Sequence, residues 1–228
     1  MKYLKFLFAI FLLFSAEVSF AQKKINEMDA NGKRHGAWKK TYPSKSQIRF
    51  EGQFDHGKEV GTFKFYCDNC KDQPSAVQKF NANNDLSEIK FYSKEGFLLS
   101  EGTLKGKERT GKWITYSEIE KSLLMEENYL DDKLDGHKKM YFSNGKVSEE
   151  SHFKNGLQES EFISYYENGN ILKKLNYKNG LLNGPAVYFD ANGNKTMEGS
   201  YKNGENFGLW KYFKNGSVIM EDTFPKGN

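Results

Sequence analysis

The feature that most constrains this chain is a sequence repeat with a period of 23 to 25 residues. Each copy contains a short strand-like segment that ends in an aromatic residue, and in most copies a glycine precedes the segment, as in Gly36–Tyr42, Gly111–Tyr116 and Gly208–Tyr212. The aromatic residues that end the segments are Tyr42, Tyr66, Phe91, Tyr116, Tyr141, Tyr165, Tyr188 and Tyr212. A fixed period of this length is typical of proteins built from stacked structural units. We therefore expect eight such units.

Turn residues predict that each unit is a β-hairpin. In the last four units the aromatic residue is followed by Asn144-Gly145, Asn168-Gly169, Asn192-Gly193 and Asn215-Gly216. Asn-Gly between two strands is typical of a two-residue type I′ turn, in which both central residues take positive φ. We expect two-residue hairpins at all four positions. A second turn then closes the unit, as at Asn155-Gly156, Asn179-Gly180 and Asn203-Gly204.

Recurring glycines in the second strands indicate a packing face. Gly52, Gly102 and Gly199 each lie two residues before an apolar or aromatic residue. Glycine weakens the interior of a strand, so its recurrence indicates that a neighbouring ring needs the space. The tryptophans of the first strands are predicted to fill it: Trp38, Trp113 and Trp210. Apolar residues are otherwise sparse, which favours a thin sheet held together by aromatic side chains.

The consensus of these units resembles the MORN repeat in its bacterial variant form. It reads Gly-x-aromatic-x-x-Tyr, then Asn-Gly, Glu and Tyr/Phe-Lys-Asn-Gly, over residues 31–227. The resemblance implies an all-β fold, an elongated single-layer antiparallel sheet of about eight stacked β-hairpins. Proteins with this arrangement are often labelled YwqK-type antitoxins. The third unit lacks the glycine, Ser160 replaces it in the sixth, and the turn at 118–124 is longer in the fourth.

The N-terminus predicts export. Lysines precede an apolar run over residues 6–14, and small residues stand before the bond that follows Ala21, as in a signal peptide. The run is shorter than the roughly 20 apolar residues that cross a membrane. We expect residues 1–21 to be removed and residues 22–228 to form the repeat domain. The mature protein is then secreted or periplasmic, without a transmembrane segment.

Charge and motifs narrow the functional classes. The formal net charge is +4 at pH 7, too close to zero to favour nucleic-acid binding. The sequence has no Gly-x-Ser-x-Gly motif, no phosphate-binding loop and no His-Glu-x-x-His motif. The four histidines lie in or beside turns or on a polar strand, and their spacing predicts no metal site: His35, His56, His137 and His152. We expect neither an enzyme nor a cofactor.

Cys67 and Cys70 form the most distinctive local feature. They follow Tyr66, so that Asn69-Cys70 stands where other units have Asn-Gly. In an exported chain with two cysteines, a structural disulfide across the turn is the leading interpretation. The alternatives are a redox-active pair, which needs a helix N-terminus or basic neighbours, and a metal site, for which two ligands are missing.

Two sets of side chains are candidates for binding. Lys154, Lys178, Lys202 and Lys226 recur every 24 residues, and stacking places them along one edge. They could meet an acidic partner, an anionic polysaccharide or lipid headgroups, or they could only discourage aggregation. A row of glutamates on the second strands is expected to pair with lysines such as Lys39 and Lys211. The exposed part of the aromatic face, with its three tryptophans, is the better candidate.

These features together predict an exported repeat scaffold that binds a protein at the cell envelope. The alternatives are a module that binds carbohydrate, cell wall or lipid headgroups, and a toxin-neutralising protein that acts outside the cytoplasm. The identity of the partner does not follow from the sequence.

Overall fold

The computed structural model describes residues 24–68, 70 and 73–226. Within these residues the chain forms one 19-stranded sheet and no helix, so none of them builds a helix that could span a membrane. The predicted signal peptide, residues 1–21, lies outside the described residues. The all-β prediction is confirmed.

The strands follow one another along the chain. They are β1 (Glu27–Met28), β2 (Arg34–Thr41), β3 (Ile48–Asp55), β4 (Lys58–Phe65), β5 (Ala76–Phe80), β6 (Leu86–Tyr92), β7 (Leu98–Lys105), β8 (Glu108–Ser117), β9 (Ser122–Leu130), β10 (Lys133–Leu134), β11 (Gly136–Tyr141), β12 (Val147–Lys154), β13 (Leu157–Tyr165), β14 (Ile171–Lys178), β15 (Leu181–Leu182), β16 (Gly184–Phe189), β17 (Lys195–Lys202), β18 (Glu205–Lys214) and β19 (Ser217–Phe224).

Every pairing between strands is antiparallel and joins strands that are next or next but one in the sequence. The two-residue strand β1 pairs with β2. The short strands β10 and β15 lie beside β9 and β14, which pair further along with β11 and β16. The remaining strands form eight hairpins, numbered here as units 1 to 8: β2/β3, β4/β5, β6/β7, β8/β9, β11/β12, β13/β14, β16/β17 and β18/β19. The eight-unit prediction is therefore correct.

The glycine at the start of a repeat produces a β-bulge. Gly111 and Gly208 have φ of 65° and 70°, and the pairing between their strand and the preceding strand shifts register close to each of them. Ser160, which replaces this glycine in unit 6, takes the same conformation with φ 64°. Unit 3 lacks the glycine, and β5 pairs with β6 without a shift. The bulge therefore recurs before units 2, 4, 6 and 8, whereas the chain is split into two strands at this position in units 5 and 7, and unit 3 has neither feature.

The first turns differ from the prediction. Gly145 donates its N–H to the Phe142 carbonyl (2.9 Å) and Phe142 donates to the Lys146 carbonyl (2.8 Å), which closes a three-residue loop. Only the glycine of that Asn-Gly pair takes positive φ, as in a type I turn with a glycine bulge. The Asn144 side chain accepts the Lys146 N–H at 2.9 Å and stabilises this form.

The two-residue prediction is wrong at three of the four first turns, because the loops at Asn168-Gly169 and Asn192-Gly193 repeat the same arrangement. It is correct at Asn215-Gly216, where φ is 52° and 77°. The type I′ turns occur mainly at the second turns, where both residues have positive φ: Asn155-Gly156, Asn179-Gly180 and Asn203-Gly204.

The core lies along the middle of one face, in a row of residue pairs that we call junctions. Each junction joins the second strand of one unit to the first strand of the next and pairs residues eleven positions apart. The seven junctions are Gly52/Phe63, Gln78/Ile89, Gly102/Trp113, Glu127/Lys138, Ser151/Phe162, Leu175/Ala186 and Gly199/Trp210. This row contains the most buried side chains, with exposures of 0% for Ala186, 1% for Trp210 and 2% for Phe63. Small residues in most junctions face large ones, so the row packs without a second layer.

Candidate interaction surfaces

The predicted contact between tryptophan and glycine is correct in two of three cases. The Trp113 and Trp210 rings lie directly on Gly102 and Gly199, where no Cβ could fit. Gly52, however, is covered by Phe63 and not by Trp38. The ring always comes from the strand that follows the glycine, whereas Trp38 lies on the strand before Gly52.

Burial makes Trp113 and Trp210 packing residues and leaves them little surface for a partner. Their exposures are 8% and 1%, and their Nε1 atoms donate to the carbonyls of Thr103 and Ser200, each at 3.1 Å. Trp38 is half-buried, with its ring edge-on to Phe54 at 5.8 Å. Of the three candidate tryptophans it is the most accessible.

The face opposite the junctions carries the expected row of ion pairs. Lys39 lies 3.9 Å from Glu51, and Lys211 lies 3.8 Å from Glu221. The best-formed pair joins Lys90 to Glu101 at 2.8 Å, and the Tyr116 hydroxyl also donates to Glu101 at 2.8 Å. The hydrogen bond from Lys90, and then that from Tyr116, lower the pKa of Glu101. These glutamates are therefore engaged within the sheet.

One junction is ionic. Glu127 is buried and lies 3.2 Å from Lys138, while the Tyr129 hydroxyl donates to the Glu127 carboxylate at 2.9 Å. Burial, together with this hydrogen bond, raises the pKa of Tyr129 to about 12. The ionic junction separates two apolar clusters, one around Trp113 and one around Trp210.

The candidate lysines Lys154, Lys178 and Lys202 each end a second strand and are exposed. Lys226, just past β19, lies 3.7 Å from Asp222. Exposed apolar side chains lie on β13, β15 and β18, close to the turns that follow these lysines: Leu157 (49%), Leu181 (51%) and Phe207 (46%). Lys202 lies over the Phe207 ring, 5.0 Å from its centroid. The side of the sheet formed by these second turns is therefore both cationic and apolar, which the lysine pattern alone did not predict.

The two ends of the sheet differ in how they are covered. At the first end, Asn26 accepts the Lys39 N–H through its side chain (2.9 Å) and donates its own N–H to the Ala37 carbonyl (2.9 Å). At the last end, β19 pairs with β18 alone among the described strands. Three consecutive apolar residues on β19 are exposed: Val218 (45%), Ile219 (63%) and Met220 (48%). No sequence pattern indicated this exposed run on β19.

Cys67 and Cys70 form a disulfide, with Cα atoms 5.1 Å apart. Gln47 of the preceding unit donates its side-chain amide to the Cys67 carbonyl at 2.7 Å, and Lys45 lies 2.6 Å from Asp68. Asn69, the residue between them in the predicted turn, lies outside the described residues. The bridge closes a short loop within the connection between β4 and β5, and the structural interpretation of the pair stays a prediction.

The histidines lie closer together than their spacing predicted. The His35 and His56 rings have centroids 4.8 Å apart, and those of His137 and His152 are 4.9 Å apart. The four histidines thus form two separate pairs, which their spacing alone did not indicate. Each pair lies across one hairpin, His35 and His56 at the end of β2/β3 and His137 opposite His152 in β11/β12. The register within a unit, and not the stacking of units, therefore brings the rings together.

Comparison with known proteins agrees with the architecture. The hairpins and junctions define a β-hairpin repeat protein. Residues 134–155, 158–179 and 182–203 match the family model of the MORN repeat variant, so this part of the chain consists of three consecutive repeats of that family. The resemblance to the MORN repeat variant is confirmed there, whereas the YwqK-type label is not confirmed. MORN repeats are in general protein or lipid interaction modules.

Two further comparisons add no functional information. No curated protein matches the chain. A chain from the crystal structure of the GtfA/B complex is similar over 42% of this chain and 19% of that chain, with 12% identity and a TM-score of 0.28. A likeness at this level carries no argument.

Proposed function

We propose that this protein is an exported interaction module that binds a protein partner at the cell envelope through strand β19. The open edge of β19 is the observation that supports this function. Its outer backbone groups have no strand beside them among the described residues, and Val218, Ile219 and Met220 are exposed on it. An extended segment of another protein satisfies such an edge by adding a strand, and pockets for alternate side chains give specificity.

A protein partner fits this edge better than a glycan does, because backbone N–H and C=O groups in a row pair with another polypeptide. Neutralisation of a toxin outside the cytoplasm is one form that such binding could take. Binding, and not catalysis, is the role we propose.

The test is recovery of a partner from an envelope extract with the tagged chain and with matched variants. We expect one stoichiometric protein to be retained by the wild type and lost with Ile219→Lys, since a charge on an edge strand opposes pairing. Ile119→Lys is the control, because Ile119 is a 94% exposed apolar residue in the turn between β8 and β9. Retention that is unaffected by Ile219→Lys contradicts the proposed site.

The cationic and apolar side of the sheet, formed by the second turns, supports a second candidate function, binding to anionic lipid headgroups. Lys154, Lys178 and Lys202 alternate there with exposed Leu157 and Leu181, and basic residues beside apolar ones are typical of surfaces that bind anionic membranes. Sedimentation with phosphatidylglycerol vesicles tests it. We expect binding that salt weakens and that the triple Lys→Gln variant abolishes, whereas equal binding to phosphatidylcholine vesicles or to polysaccharide beads contradicts it.

Export is tested separately. A reporter fused to residues 1–25 is expected to reach the periplasm, and intact-mass measurement of the exported protein is expected to give a chain that begins at Gln22. Retention of the reporter in the cytoplasm contradicts the proposal and removes the envelope from the proposed function.

A further inference from the structure

A cluster of imidazole and carboxylate groups lies at the first end of the sheet, far along the chain from β19. His35 is on β2, Asp55 ends β3, and His56 begins the turn that follows. One potential ligand atom from each of these residues lies within 4.8 Å of the others. All three side chains are exposed, so an ion could reach them from solvent.

The distances within the cluster are close to those of a metal site. Asp55 Oδ1 lies 3.5 Å from His35 Nδ1 and 3.8 Å from His56 Nε2. In a tetrahedral site with metal–ligand bonds of about 2.0–2.1 Å, neighbouring ligand atoms lie about 3.3 Å apart. The three atoms lie within 4.8 Å of one another, and small side-chain rotations of these exposed residues would bring them to that spacing. His35 Nδ1 also accepts the His56 N–H at 3.5 Å, and a bound metal would replace this contact.

A fourth residue holds one of the histidines in the orientation that a metal needs. Asp29 accepts a hydrogen bond from His56 Nδ1 at 2.6 Å, which directs the Nε2 atom of His56 towards Asp55. Asp29 is itself fixed, because its other carboxylate oxygen accepts the N–H groups of Asn31 (2.8 Å) and Lys33 (2.9 Å). Its side chain is only 7% exposed. A carboxylate behind a histidine is the usual support of a histidine metal ligand.

We propose that His35, Asp55 and His56 bind a divalent transition-metal ion of the Zn²⁺ class, and that Asp29 positions His56. Two imidazoles and one carboxylate favour Zn²⁺, Ni²⁺ or Co²⁺ over Mg²⁺ and Ca²⁺, which prefer oxygen ligands. Three protein ligands leave at least one coordination position for water or for a group from another molecule. The site ties the turn before β2 to the first hairpin.

The experiment is calorimetric titration of ZnCl₂ into the purified full chain, produced without a histidine tag and shown to contain no free thiol. The thiol assay matters because reduced Cys67 and Cys70 would themselves bind zinc. We expect one Zn²⁺ per chain. His35→Gln, Asp55→Asn and His56→Gln are each expected to lower the affinity at least tenfold, and Asp29→Asn about tenfold through the loss of its support.

The second histidine pair provides the control. Among the residues that the structure describes, His137 and His152 belong to no group of three potential ligands, so the His137→Gln/His152→Gln variant is expected to bind Zn²⁺ as the wild type does. Thermal melting without metal establishes that each variant folds. Visible absorption of bound Co²⁺ is a second readout, expected in the wild type and lost in His35→Gln. The proposal is overturned by the absence of saturable binding, or by binding that His35→Gln leaves intact and the control variant removes.

Discussion

The junction between units 7 and 8 and the junction between units 4 and 5 occupy the same place in the repeat but are held together by different interactions. At the first, the Trp210 ring lies on Gly199 and is 1% exposed. At the second, Glu127 meets Lys138 at 3.2 Å, with side-chain exposures of 11% and 24%. The geometry of the hairpins is nevertheless continuous through both. The repeat therefore specifies where a pair of residues meets, and size or charge complementarity determines which pairs are acceptable.

The two kinds of junction contribute to the free energy of unfolding in different ways. A ring on a glycine contributes through close packing and burial of apolar surface, so adding or removing a few atoms is costly. In a partly buried ion pair, the attraction between the charges roughly offsets the cost of removing them from water, so the pair adds little to the free energy of unfolding. Removing one partner leaves an unpaired buried charge, which lowers that free energy strongly. In a repeat protein whose units contact only their neighbours, such terms accumulate junction by junction.

The largest effect is expected from adding a methyl group beneath the Trp210 ring. Gly199 does not have a positive φ, so alanine is free to adopt its backbone conformation and the cost is steric. We expect Gly199→Ala to lower the free energy of unfolding by about 3 kcal/mol, measured by urea denaturation. Ser151→Ala, at the equivalent position between units 5 and 6, is the control, with an expected change within about 0.5 kcal/mol.

A double variant isolates the contact. If the ring is the obstacle, Gly199→Ala adds no further destabilisation in a Trp210→Ala background, although Trp210→Ala alone costs about 3–5 kcal/mol. Equal costs of Gly199→Ala in both backgrounds would show that the ring contact is not the cause.

The next largest effect is expected at the ionic junction. Lys138→Met leaves the buried Glu127 carboxylate without its cation, and we expect a loss of about 2 kcal/mol in the free energy of unfolding. In the double variant Glu127→Gln/Lys138→Met the charge is gone, and the introduced amide oxygen still accepts the hydrogen bond from the Tyr129 hydroxyl. The stability of the double variant is therefore expected within about 1 kcal/mol of the wild type. A double variant as unstable as Lys138→Met would contradict the interpretation that an unpaired charge causes the loss.

A smaller effect, which depends on pH, is expected on the face opposite the Gly102/Trp113 junction. The folded protein lowers the pKa of Glu101 from 4.5, so the unfolded chain binds the proton more readily. The ionised form therefore stabilises the fold above about pH 4.5, and this contribution disappears as the pH falls through the folded pKa. We expect Glu101→Gln to cost about 1 kcal/mol at pH 7 and progressively less below pH 4.5.

Denaturation of the wild type and of Glu101→Gln at pH values from 7 to 3 measures how their difference in stability changes with pH. Glu88→Gln supplies the comparison, because Glu88 is exposed on the adjacent strand β6. A stability difference between Glu101→Gln and the wild type that stays constant as the pH falls would exclude Glu101 ionisation as its source.

Much of the architecture could be predicted from the sequence, because the period and the turn residues are local signals. The eight units and the contacts of Gly102 with Trp113 and of Gly199 with Trp210 follow from them. The assignment of Trp38 to Gly52 failed because it required knowing which neighbouring strand supplies the ring. With the structure, the rule is simple: the partner lies eleven residues after the glycine, which selects Phe63.

Other features could not be predicted because they depend on three-dimensional neighbours or on small energy differences. Asn-Gly suits both a type I′ turn and a type I turn with a glycine bulge, and the same dipeptide forms the first at Asn215-Gly216 and the second at Asn144-Gly145. The cluster of His35, Asp55 and His56 depends on the register of the β2/β3 hairpin and on how the turn after β3 places His56. The exposure of Val218, Ile219 and Met220 depends on which described strands pair with β19, which no pattern within the repeat reveals.

The smallest effect is expected next to the junction between units 5 and 6, where Ser160 replaces the glycine of the bulge. Ser160 has φ 64°, a left-handed conformation that costs a residue with a Cβ about 1 kcal/mol. Glycine removes this cost but makes the unfolded chain more flexible, so the two effects partly cancel. We expect Ser160→Gly to raise the free energy of unfolding by about 0.5 kcal/mol, whereas Ser151→Gly, on the adjacent strand β12, is expected to lower it by a similar amount. Urea denaturation of the two variants gives opposite signs if the conformation of the bulge is responsible, and the same sign if glycine acts only through the unfolded state.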